Sequence, residues 1–89
     1  VALCTGSGGD VVKSVSPGRA DVFITGEMDH HDAAEAKAKG LAAICVGHFE
    51  SEVIVVPYVA AWLREQSLIA DNHVAILEAA TETSPFTTM

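Results

Sequence analysis

The chain has 89 residues, which is room for one small domain. Its residues are 49% hydrophobic and 19% charged, a balance that excludes a disordered acidic tail. Twelve acidic against five basic residues give a formal charge of −7, and the basic ones (Lys13, Arg19, Lys37, Lys39, Arg64) are scattered. With no positive stripe to release counterions, a nucleic-acid partner is excluded. An acidic surface better suits ligands that include cations.

In chain order, Val1 to Cys4 is a short apolar run stopped by Thr5-Gly6-Ser7-Gly8-Gly9, and it reads as a buried strand. Asp10 to Val15 places Val11, Val12 and Val15 at helical spacing before Ser16-Pro17-Gly18 breaks the pattern. Asp21 to Thr25 is a second strand, stopped at Gly26. Asp29 to Lys39 carries the fullest helix signature: Asp29 as cap, acids early, lysines late, and Gly40 at the left-handed position beyond the end. Glu35 and Lys39 form an i,i+4 pair, and the inner face is expected to be alanine (Ala33, Ala34, Ala36, Ala38). Leu41 to Val46 is a third strand, ended by Gly47.

The polar segment His48 to Glu52 reads as a hinge leading to the longest apolar run, Val53 to Leu63. At 11 residues that run falls short of the roughly 20 needed to span a bilayer, so no membrane partner is expected. Helix is expected from Pro57 onward; between Glu52 and Pro57 the β-branched residues and the pre-proline position leave helix and strand both open. His73 to Ala79 reads as a last strand, with His73 opening it and given no role. The expected organisation is a half-domain over 1–80 and a polar tail over 81–89. The order β-α-β-α-β-α-β, with crossovers long enough for parallel pairing, predicts an α/β fold: a mainly parallel sheet with flanking helices. Because Val1 already sits in a strand-like run and the opening residues do not form a secretory leader, the chain is read as a fragment of a larger domain with a cytoplasmic location. Cys4 and Cys45 are too few for a disulfide framework, and are expected as buried, inert thiols. Tyr58 and Trp62 share a helical face and are expected in a core.

All three strands end in glycine: Thr5-Gly6-Ser7-Gly8-Gly9, Thr25-Gly26-Glu27 and Gly47-His48. In a parallel sheet those ends share one edge, where ligands of open α/β sheets bind. Gly6, Gly8, Gly9, Thr25, Gly26 and Glu27 are thus candidates to line a cleft that also collects His30, His31 and Glu52. The glycine loop is neither a Walker loop nor a dinucleotide fingerprint, and Asp10 beside it disfavours a tightly held phosphate. His48-x-x-x-Glu52 pairs an imidazole and a carboxylate, both ligands for divalent cations. Two ligands are too few for a complete site. Either others lie elsewhere, or the two form a simple hydrogen-bonded pair. The neighbours His30 and His31 diverge by about 100° around a helix, so at most one enters the cleft. Asp32 and Glu27 read as first-turn acids.

These motifs resemble a known family. Val1-Ala-Leu-Cys-Thr-Gly-Ser-Gly-Gly9, then Ala20-Asp-Val-Phe-Ile-Thr-Gly-Glu-Met28 with His31-Asp32-Ala33, then Gly47-His-Phe-Glu-Ser-Glu52, is similar to the C-terminal part of the Ngg-interacting-factor-three family, whose members are often called GTP cyclohydrolase type-2 homologues. The resemblance implies a site for two divalent metal ions. An N-terminal His-His pair and an Asp would come from outside this chain, with His48 and Glu52 as its own ligands and His31 near the cleft. The His30-His31 doublet has the surroundings of the second motif and is not that N-terminal pair. The resemblance further implies homo-oligomers and, for the full-length form, a metal-dependent hydrolase acting on an unidentified small molecule. The alternatives are a non-enzymatic metal-binding or protein-interaction module, and a truncated product without a complete site.

Overall fold

The computed structural model describes residues 1–81 and 83–87; the rest of the expected tail, positions 82, 88 and 89, lies outside the described residues. The chain divides into two compact units, Val1–Glu52 and Val53–Met89. In the first unit, β1 (Ala2–Ser7), α1 (Gly9–Val12), β2 (Val22–Glu27), α2 (His30–Ala38), β3 (Ala42–Cys45) and α3 (His48–Glu52) follow in order. The strands form a parallel three-stranded sheet in the order β1-β2-β3. The expected α/β class and parallel pairing are therefore present, in a sheet of three strands.

Two rows of side chains define the covered face of the sheet. Ala2, Phe23 and Ala43 are register partners, as are Cys4, Thr25 and Cys45. Phe23 is fully buried and joins Val12 of α1, Ala36 of α2 and Leu41 in one apolar cluster. Ala36 is the one buried alanine of α2; Ala33, Ala34 and Ala38 are exposed, because α2 meets the sheet along a narrow stripe. Cys4 is half-buried, and Cys45 is exposed rather than buried because β3 is an edge strand.

The ends of α2 follow their sequence signals. Asp29 accepts a 2.8 Å hydrogen bond from the Asp32 amide, which holds its carboxyl below the usual range. Beyond the helix, the amides of Gly40 and Leu41 donate to Lys37 and Ala36 carbonyls in a Schellman motif, and Leu41 enters the core. Lys39 pairs with Glu35 at 2.9 Å and also donates to the Val12 and Lys13 carbonyls, capping α1 from outside.

Three boundaries differ from the sequence reading. β1 does not stop at Cys4 but runs to Ser7, because the pairing slips by one residue between Cys4 and Ser7. Such a bulge inserts an extra residue without ending the strand. α1 is one turn, Gly9–Val12, without Val15. The segment 48–52 is a helix, not a hinge.

In the second unit, α4 (Val55–Arg64) and α5 (Ser67–Asp71) are followed by irregular chain. Pro57 sits in the first turn of α4, where a missing amide costs no intrahelical bond. Ala60 is buried, whereas Tyr58 and Trp62 are exposed at 77% and 59%, not in a core. The expected strand from His73 is absent among the described residues. His73 instead closes α5 in a left-handed conformation, with its own amide and that of Val74 bonded back to Ala70 and Ile69. Arg64 then takes the Ile76 carbonyl at 3.0 Å and the Glu78 carboxylate at 2.9 Å, so that carbonyl is engaged by a side chain rather than a strand neighbour. No helix among the described residues is long and apolar enough to cross a membrane.

Candidate metal site

The carboxyl edge of the sheet is where backbone and side chains of the first unit converge. After β3, the amides of Val46 and Gly47 donate to the Thr25 and Gly26 carbonyls at 2.9 Å, carrying the pairing past the end of the strand. The chain then turns at Gly47 into α3, whose single turn places His48 and Glu52 on one side. His48 Nε2 lies 3.3 Å from Glu52 Oε2, and His48 Nδ1 lies 2.9 Å from Glu27 Oε1 at the end of β2. All three side chains are about half exposed. The hydrogen bond that His48 Nδ1 donates to Glu27 raises the His48 pKa, reinforced by the charge of Glu52, with partial desolvation opposing both.

Beneath this trio the backbone is closely fitted. Ser51, buried at 8% exposure, accepts a 2.9 Å hydrogen bond from the Gly6 amide and donates at 2.8 Å to the His48 carbonyl. Thr25, exposed at only 1%, donates from its hydroxyl to the Gly6 carbonyl at 3.3 Å. Gly6 is the pivot of the β1 bulge, with φ at +63°. A methyl group there would run into the Glu52 carboxylate and come within 3.2 Å of His48 Nε2. A methyl on Gly26 would press on the Gly6 carbonyl, the Ser51 hydroxyl and, at 3.0 Å, the Gly47 carbonyl. The bulge thus turns both polar groups of Gly6 toward β2 and α3, and the two glycines let α3 seat directly on the strand ends.

Of the residues singled out from the sequence, His48, Glu52, Glu27, Gly6, Thr25 and Gly26 come together here. Thr25 and Gly26 lie under the trio rather than facing solvent. Glu27 is the last residue of β2 and not a first-turn acid; Asp32 is one, and it pairs with Lys13 at 3.4 Å. Gly8 backs onto Thr25 and Phe23, and Gly9 onto Asp32. His31 sits exposed in the first turn of α2, edge-on to His30 at 5.9 Å between ring centres; no hydrogen bond or ion pair among the described residues joins it to His48. The role of Ser51 escaped the sequence reading. A small hydroxyl residue between two candidate ligands, opposite a glycine-rich strand end, was the available signal.

No three His, Cys, Asp or Glu side chains among the described residues group as a metal site. Glu27 occupies the Nδ1 side of the imidazole, so the His48 Nε2 and Glu52 pair is what faces a common space. As a donor set, a nitrogen and a carboxylate oxygen on one helix face fit two positions of a borderline divalent cation, and a carboxylate behind the imidazole fits the usual outer sphere of such a histidine.

The model of the DUF34/NIF3 (NGG1p interacting factor 3) family matches residues 1–85. A Streptococcus pneumoniae protein called GTP cyclohydrolase 1 type 2 homolog is 37% identical over 86 residues, which is 97% of this chain and 32% of that protein. A Campylobacter jejuni protein of the same name is 46% identical over 52 residues, 58% of this chain and 20% of its own length. NIF3-like protein 1 of Rattus norvegicus is 48% identical over 52 residues, 58% of this chain and 13% of its own length. The chain thus spans a third or less of each of these relatives. By the extent of the family match, this chain belongs to the DUF34/NIF3 family.

Proposed function

We propose that this chain supplies two ligands, His48 Nε2 and the Glu52 carboxylate, to a divalent-cation site whose other ligands lie outside these 89 residues. The supporting observation is the 3.3 Å approach of those two groups on one solvent-facing side of α3, with Glu27 behind the imidazole. The division of labour among the residues follows from their contacts. Ser51 ties the backbone of His48 to Gly6 and so fixes the base of α3. Gly6 leaves room above itself for Glu52 and His48 Nε2. A cation held there supplies Lewis acidity toward a substrate oxygen, the chemistry of a metal-dependent hydrolase acting on a small molecule. Two of the relatives carry a cyclohydrolase name, which agrees with that reaction class.

The test uses the chain as it is, with paramagnetic Mn²⁺ as probe. In a titration followed by amide NMR, the signals of His48 and Glu52 broaden first, and His48→Ala abolishes this selectivity. Broadening centred instead on the acids Asp10 and Asp32 beside Lys13, unchanged in His48→Ala, would remove the assignment.

A further inference from the structure

We infer that Glu27 is a positioning residue: it holds the neutral His48 imidazole with its proton on Nδ1, leaving Nε2 as the free lone pair beside Glu52. Both ring nitrogens of His48 face a carboxylate, so the geometry sets up a competition for one proton. Glu27 Oε1 stands 2.9 Å from Nδ1, an ordinary hydrogen-bond length, whereas Glu52 Oε2 stands 3.3 Å from Nε2, beyond the usual range for N–H to oxygen. A charged acceptor at the shorter distance makes the stronger bond, and the proton goes to that side. The other side then presents an imidazole lone pair and a carboxylate to the same space, two negative ends with no proton between them. A cation satisfies that arrangement and a neutral hydrogen-bonded pair does not. Backbone geometry separates the two carboxylates. Glu27 ends β2 and reaches the ring from the sheet, while Glu52 belongs to the same helix as His48. Movement of α3 on the sheet is restrained by the Ser51 to Gly6 bond, which keeps the imidazole within reach of Glu27.

The role toward a cation rests on the reading above; the tautomer does not. The experiment therefore has two readouts on the full chain. The first is the pair of His48 ring ¹⁵N shifts at alkaline pH without metal, read by long-range ¹H–¹⁵N correlation. Wild type shows a protonated Nδ1. Glu27→Ala moves the proton to Nε2, and Glu27→Gln, whose carbonyl can still accept from Nδ1, keeps it largely on Nδ1. Glu27 is half exposed, so the variants keep their amide dispersion. The second is Zn²⁺ affinity, followed through the His48 Nε2 resonance. Glu27→Ala weakens it by about 10- to 100-fold, the usual effect of losing an outer-sphere carboxylate, and Glu27→Gln weakens it less. An Nδ1 proton that persists in Glu27→Ala overturns the positioning role. A tautomer that moves without loss of Zn²⁺ affinity overturns its bearing on the cation. A wild-type Nε2 that never responds to Zn²⁺ overturns the metal reading and leaves the tautomer assignment standing.

Discussion

At the residue scale, the His48 ring is held between two carboxylates, Glu27 from the end of β2 and Glu52 from its own helix. Its partners act on its charge in a definable direction. The Glu27 hydrogen bond and the nearby Glu52 charge favour the imidazolium, so the folded-state pKa lies above the unfolded value of about 6.5. A group whose pKa is raised by folding binds its proton more tightly in the native state. Its stabilising contribution is therefore complete below about pH 6.5 and is lost as pH rises through the folded value. Asp29, whose carboxyl is lowered by capping α2, works the other way: its contribution holds above the unfolded carboxylate value and is lost as acid protonates the cap. Thermal melts in the presence of chelator check the first of these. The melting temperature of wild type falls relative to His48→Gln as pH is taken from 5.5 to 8.5, each pH being about one to two units either side of the ordinary histidine value. Parallel curves over that interval would contradict the contact with Glu27.

At the scale of elements, α3 shows why a short helix can be invisible in a sequence. A helix of five residues is far below the length at which helices are stable alone, and it carries no full apolar period. It exists here because Ser51 is buried against Gly6 and because Gly47 is bonded to Gly26. Ser51→Ala leaves the buried Gly6 amide without an acceptor, at a cost of about 1–3 kcal/mol. The expected result is faster hydrogen exchange at Gly6 and throughout 48–52, with α2 protected as before. Equal loss of protection in α2 would mean that α3 is not a separable element. The contrast with α2 is instructive. There the Asp29 cap, the Glu35–Lys39 pair and the Gly40 stop are all local signals, and all three were readable in one dimension.

For the molecule as a whole, the sheet is covered unevenly. Leu3, Ile24 and Ile44 are register partners on the face opposite Phe23; Leu3 is 71% and Ile44 49% exposed. Parallel sheets ordinarily have both faces covered, and their strands accordingly read as continuous apolar runs. That is why β1 reads as a buried strand in the sequence while Leu3 on this face is exposed. An open apolar row binds hydrophobic dyes. Anilinonaphthalene sulfonate fluorescence is expected to be high for the 89-residue chain and to fall in the double variant Leu3→Lys, Ile44→Lys. Unchanged fluorescence in that variant would place the dye site elsewhere.

Sequence alone determined the α/β class, the parallel pairing of the strands, both ends of α2, the family, and the four-residue spacing of His48 and Glu52. Each of those depends on residues within a few positions of one another, or on motifs that recur in order. Tertiary structure decided the rest. It extended β1 through a bulge at Gly6. It turned the last expected strand into a helix terminus at His73 and a segment bonded to Arg64. It set Glu27 against the imidazole from 21 positions away. The physical reason is common to all three. A bulge, a chain reversal and an orienting carboxylate are each stabilised by a partner distant in sequence, and no local periodicity records who that partner is.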